Sequence, residues 1–145
     1  MNQKLIYNNT VFSWRKRWRS IRYALQGIRV FLTNEHNARI HLFATVLVLT
    51  LGVYFKVSSS DWVALVLAMG FVWTAEIFNT AMERIMDYMS KEKQTAIQLI
   101  KDLAAAAVLV AVLTALLVGA FVFIPKIIDQ WEPPNYCQVN CTGIR

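Results

Sequence analysis

Glycine is scarce in this 145-residue chain, with five in all, and none of them sits in a Walker A phosphate loop or a Gly-rich nucleotide loop. A His-Arg-Asp catalytic loop is missing as well, so a soluble-type nucleotide fold is not expected. The two cysteines, Cys137 and Cys141, both lie in the C-terminal stretch NYCQVNCTGIR. A structural zinc site takes about four ligands, and this stretch offers two thiols and no histidine, so zinc is not expected there. The first thirty residues lack the compact apolar region of a secretory signal, which argues against a cleaved leader. There is no internal repeat and no other low-complexity tract.

Long uncharged runs are what the chain does have. Its hydrophobic fraction is 57%, high for a soluble domain, and the apolar residues are grouped. Leu103 to Ile124 carries no charge over 22 residues, enough to cross a hydrocarbon core of about 30 Å at a rise of ~1.5 Å per residue. Ile40 to Phe55 is shorter at 16 residues, but Arg39 and Lys56 at its ends can snorkel. Trp62 to Ala75 spans only if its helix continues past Glu76. The sequence therefore predicts a single all-α membrane domain over residues 13–128, with spans over about 38–56, 61–89 (including a cytoplasmic extension) and 99–125.

Charge placement orients the bundle. Eight Lys or Arg precede Ile40 and four more (Arg84, Lys91, Lys93, Lys101) lie between the second and third runs, against three (Lys56, Lys126, Arg145) elsewhere. The positive-inside rule then puts the N-terminus in the cytoplasm and the C-terminal tail, 129–145, outside. In that outer compartment Cys137 and Cys141 could close a small disulfide loop or lie in an unstructured tail. Residues 1–12 form an N-terminal tail. Between it and the first span, WRKRWRSIRYALQGIRVFL predicts an amphipathic helix over about 14–33. Trp14, Trp18, Ile21, Leu25, Ile28 and Leu32 share one stripe, and basic residues cover much of the rest. Such a helix lies in the membrane interface, or serves simply as a basic anchor.

The second span ends in AEIFNTAMERIMD. At about 100° per residue, Thr80, Glu83, Asp87 and Asn79 fall within roughly 60° of Glu76 around the helix. All five project from one face, which begins at membrane depth and ends in the cytoplasm. A carboxylate inside a span is costly unless it meets a cavity, a cation or a partner, so the stripe is a candidate functional site. Clustered oxygen ligands suit Mg²⁺, which usually takes one or two carboxylates plus substrate phosphates. The third span opens with KDLAAAA. Lys101 and Asp102 lie at the same inner boundary, Lys101 can bridge phosphate oxygens as a point charge, and the alanines allow close helix approach. Upstream, Glu35 in TNEHNARIH could complete the metal site. Alternatively, Thr33 or Asn34 caps a helix there and Glu35 favours its dipole. His41 reads as a packed or interfacial histidine rather than a ligand.

The pattern Glu76, Asn79, Thr80, Ala81, Glu83, Asp87, followed by Lys101-Asp102 before an Ala-rich helix and preceded by Glu35 and by Tyr23, Ala24 and Gly27, resembles the small prokaryotic integral membrane lipid kinases. This is the family of bacterial diacylglycerol kinase and undecaprenol kinase. The similarity runs from about Ser20 to Ile124. It implies ATP-dependent phosphorylation of a membrane lipid hydroxyl at the inner face of the bacterial cell membrane, and a homotrimer with sites between subunits. By resemblance, Glu76 is the general base, Glu35 and Glu83 bind the metal on the nucleotide phosphates, and Lys101 contacts phosphate. Asn79, Asp87, Asp102 and Tyr23 match polar or nucleotide-pocket positions. The expected partners are ATP, the lipid and further copies of the chain, with no nucleic acid. The segment Glu35, Asn37, Arg39, Ile40, His41 is more similar to the undecaprenol-type members. Phosphoryl transfer relies on positioning and charge neutralisation, which carboxylates, a metal and a lysine can supply. A non-enzymatic ion pathway or assembly subunit is the competing reading. It would need polar groups along the whole of each span, whereas here they gather at the inner boundary.

Overall fold

The computed structural model describes residues 13–90, 92 and 94–131. The two tails' outer parts, and with them Cys137 and Cys141 and the disulfide considered for them, lie outside the described residues. Four helices follow one another: α1 (Trp14–Asn34), α2 (His36–Tyr54), α3 (Ser59–Met89) and α4 (Thr95–Trp131). No strand occurs among the described residues. The chain divides into two units, one containing α1 and ending at Glu35, the other beginning at His36 and holding α2 to α4.

In the first unit, α1 keeps Trp14, Trp18, Ile21, Leu25 and Ile28 exposed along one stripe, as an interfacial helix requires. Its last turn differs from the expected cap. Thr33 and Asn34 both belong to α1, and the Thr33 hydroxyl donates back to the carbonyls of Arg29 (3.0 Å) and Val30 (3.1 Å). Glu35 ends the helix instead, with extended backbone and its N–H donating to the Phe31 carbonyl at 3.0 Å. A β-branched hydroxyl inside a helix commonly bonds back to the preceding turn in this way.

In the second unit, α2, α3 and α4 are each long and apolar enough to cross a membrane, and this is a membrane protein of three spans preceded by an amphipathic helix. Helix α3 runs unbroken through Glu76 to Met89, so the short run Trp62 to Ala75 gains its length from the polar stripe that follows. Helix α4 is longer than the expected span at both ends and continues through Pro125. That proline removes one backbone bond, and a membrane helix tolerates the loss where neighbours and side chains compensate.

The turn between α2 and α3 is closed by local chemistry. Lys56 adopts φ 49° in the left-handed region. Its N–H donates to the Val53 carbonyl at 3.2 Å, and that of Val57 donates to the Gly52 carbonyl at 3.1 Å. This is a Schellman ending, and it carries Val57 into the core. Ser58 then caps α3 through a reciprocal pair: its hydroxyl accepts from the Asp61 N–H (3.2 Å), and its own N–H donates to the Asp61 carboxylate (3.1 Å). Val57, Leu65 and Val122 form a small core at this end, with Phe55 and Phe123 against it.

Gly52 sets the spacing of α2 and α3. A Cβ at this position would lie 2.7 Å from Trp62 Cη2 and 2.9 Å from Cζ2, inside van der Waals contact with a stiff ring. Gly52→Val should lower the melting temperature, with overpacking strain of about 1–3 kcal/mol. Thermal unfolding in detergent measures it, and an unchanged midpoint would show that the ring moves freely.

Candidate functional site at the inner half of α3

Helix α3 packs extensively along α4 and less along α2. The ion pair between Lys101 and Asp87 at one end, and Leu65 beside Val122 at the other, fix an antiparallel register between α3 and α4. In that register Glu76 is level with Val112, next to the fully buried Ala111. On the opposite side, Trp73 Nε1 donates to Thr45 Oγ1 at 2.9 Å, tying α3 to α2.

The stripe read from the sequence is buried where it is deepest. Glu76, Asn79 and Thr80 are the buried polar residues of the described chain, with Glu76 only 2% exposed. One oxygen of Glu76 and the Asn79 Oδ1 have no hydrogen-bond partner. Burying a carboxylate oxygen without a partner is expensive, which sets Glu76 apart from the other acids of the stripe. The Asn79 amide donates to the Glu83 carboxylate at 3.4 Å, a long bond between residues one turn apart that orients Glu83 along the stripe. Thr45, Thr50, Thr74 and Thr114 each donate their hydroxyl to the carbonyl four residues earlier at 2.8 Å. No such bond engages Thr80 among the described residues, which leaves a fourth polar group on this face.

Beyond Glu83 the stripe opens to an aqueous cavity of about 600 Å³, lined by Asp87, Ser90, Gln94, Gln98 and Lys101 among others. The Lys101 ammonium is ion-paired with Asp87 here. Asp102 is exposed. Neighbouring positions on a helix point about 100° apart, so Asp102 does not share the face of Lys101. Tyr23 and Glu35 belong to the first unit. Among the described residues no three His, Cys, Asp or Glu side chains gather as metal ligands. What the second unit offers a cation is Glu83, half-buried and oriented by Asn79, with Asp87 one turn on. That donor set suits a hydrated ion held largely by phosphate oxygens, not one caged by protein.

The sequence reading missed a cavity of about 140 Å³ between α2, α3 and α4, lined by His41, Thr45, Val72, Trp73, Val112 and Ala115 among others. A tryptophan within an apolar run was the available signal, because a buried indole N–H looks for an acceptor.

The comparisons agree with this layout. The family model described as prokaryotic diacylglycerol kinase matches residues 22–123, which takes in α2, α3 and most of α4. A protein named undecaprenol kinase from Bacillus subtilis is 29% identical over 110 residues, covering 76% of this chain and 89% of the relative. A protein named diacylglycerol kinase from Synechocystis sp. is 31% identical over 111 residues. That match covers 76% of this chain but 63% of the Synechocystis protein, which is the longer. With its three spans and the matched region enclosing the whole polar stripe, the chain belongs to the prokaryotic diacylglycerol kinase family and is a lipid kinase.

Proposed function

We propose that the chain transfers the γ-phosphoryl group of ATP, with Mg²⁺, to the hydroxyl of a membrane lipid, diacylglycerol or undecaprenol, at the inner face of the cell membrane. The observation that carries this reading is the buried, unpartnered oxygen of Glu76 at the deep end of a line of polar groups. Along α3, Glu83 follows Glu76 by about 10 Å of rise and Asp87 by about 16 Å. The order suits the reaction: a lipid hydroxyl at the deep end, the transferred phosphoryl group next to it, and the remaining phosphates toward water.

Glu76 accepts the hydroxyl proton as general base. Asn79 holds Glu83 in place and lends polarity beside the reacting oxygen. Glu83 and Glu35 are the metal-binding carboxylates. The bound ion would neutralise charge on the phosphates. Lys101 exchanges Asp87 for a phosphate oxygen when nucleotide enters, and Asp87, Asp102 and Tyr23 serve the nucleotide pocket. Phosphoryl transfer is achieved chiefly by such positioning.

The cytoplasmic N-terminus and outer C-terminus follow from the basic asymmetry, twelve lysines and arginines on one side against three. A homotrimer would complete each site and would cover the exposed apolar flanks of α2 and α4. The domain then comprises residues 13–128, with 1–12 and 129–145 as tails. Because α4 runs to Trp131, the dispensable part is 132–145. Deleting it should leave turnover within about twofold, since every residue placed in the site lies within 13–128. Loss of activity in a correctly inserted, truncated protein would contradict this.

The test of the function is incorporation of radiolabelled phosphate from ATP by the purified protein, with diacylglycerol and undecaprenol each presented in mixed micelles. Labelled lipid that depends on Mg²⁺ is expected. Absence of label in both lipids would overturn the proposal.

A further inference from the structure

The cavity between α2, α3 and α4 plays no part in the roles above. Its walls are single helix faces of the three spans, so it lies at membrane depth. On α3 the lining residues are Met69, Val72 and Trp73, and Glu76 is the next position on that face, four residues beyond Val72. On α4 the lining includes Val112, the residue level with Glu76. On α2 it includes His41, one turn inward of the Thr45 that bonds Trp73, and so also level with Glu76. The lining therefore reaches the level of Glu76 on α2 and α4 and stops one helical turn short of it on α3.

Its size and chemistry are restrictive. A cavity of about 140 Å³ matches the ~150 Å³ apolar cavity that holds one benzene, so it accommodates roughly six carbons. Two of its polar groups are already engaged: the Trp73 N–H donates to Thr45, and the Thr45 hydroxyl donates to the His41 carbonyl at 2.8 Å. His41 is the remaining polar side chain, at the inner end where a hydroxyl would be.

We infer that this cavity receives the first carbons of a single-chain lipid alcohol, a polyprenol, with its hydroxyl at Glu76, and that it selects against diacylglycerol. The inference rests on the lipid kinase reading and specifies its substrate class. A polyprenol presents one slender hydrocarbon chain directly behind its hydroxyl carbon. A diacylglycerol branches at the next carbon into two ester-linked chains, too much volume for this space. Its ester carbonyls would also enter an apolar wall whose Trp73 and Thr45 donors are occupied, and a polar group buried without a partner is strongly rejected.

Steady-state kinetics of the full chain in micelles, with undecaprenol and dioleoylglycerol as the probes, tests this. Wild type should show kcat/KM for undecaprenol at least about tenfold above that for dioleoylglycerol, and Ala115→Leu, which fills the cavity from α4, should raise the undecaprenol KM at least about tenfold, the size of effect expected where pocket volume decides. The KM for ATP should stay within about twofold, because Ala115 is remote from the nucleotide end. Should Ala115→Leu lower the melting temperature, Ala44→Leu fills the same cavity from α2 and carries the same expectation. Equal efficiency with the two lipids, a preference for dioleoylglycerol, an unchanged undecaprenol KM in these variants, or a parallel rise in the ATP KM would each overturn the inference. Wild-type protein that phosphorylates neither lipid would overturn the lipid kinase reading itself, a distinguishable result.

Discussion

Glu76→Gln should lower turnover by roughly 10² to 10⁴ while leaving nucleotide affinity nearly unchanged, the range typical of a lost general base. The substitution keeps the size and shape of the side chain. An amide can still hydrogen-bond across the helix interface, a bond worth about 1 kcal/mol, so the bundle should assemble and melt close to wild type. What glutamine cannot do is accept the hydroxyl proton. Glu76 is singled out because it is 2% exposed and retains an oxygen without a partner, at a depth where an unpaired carboxylate disfavours the span by roughly 3 kcal/mol. It is also separated from Glu83 by seven residues, about 10 Å of helix rise, which keeps it from sharing the metal. The measurement is turnover number and ATP affinity of both proteins in the same micelles. A variant within threefold of wild-type turnover would remove Glu76 from the catalytic role.

Glu83→Gln should act on the metal instead. Its carboxylate is half-buried, it accepts a bond from the Asn79 amide, and it lies between the deep end of the stripe and the aqueous cavity at Asp87 and Lys101. The amide replacement preserves the packing and loses the charge that a hard divalent ion requires. The Mg²⁺ concentration at half-maximal rate should rise at least about tenfold, since even the outer partners of metal ligands are worth 10–100-fold in affinity. Asn79→Ala should move the same quantity in the same direction by a smaller factor, because it only loosens Glu83. Magnesium titrations at fixed ATP and lipid decide it. An unchanged titration curve in Glu83→Gln would take Glu83 out of the metal site.

The sequence by itself determined the spans and the stripe. An uncharged run of 22 residues is long enough to cross a bilayer, and in hydrocarbon a helix satisfies the backbone groups within its own segment. The angular spacing of Glu76, Asn79, Thr80, Glu83 and Asp87 is a property of any α-helix, so their common face was legible once α3 was recognised. The motif with Lys101 carried the family for the same local reason. Other features depended on how helices meet. The ion pair of Asp87 with Lys101 arises from the antiparallel register of α3 and α4, which no periodicity encodes. Thr33 and Asn34 looked like a cap for the following helix, yet both lie within α1, where the Thr33 hydroxyl bonds back to the carbonyls of Arg29 and Val30, and Glu35 takes the break. The third span, expected to end near 125, continues as α4 through Pro125 to Trp131. The cavity beside Glu76 was invisible because it is an absence of atoms among three helices. Its walls come from residues that read as generic span, and only packing decides where such faces fail to fill the space between them.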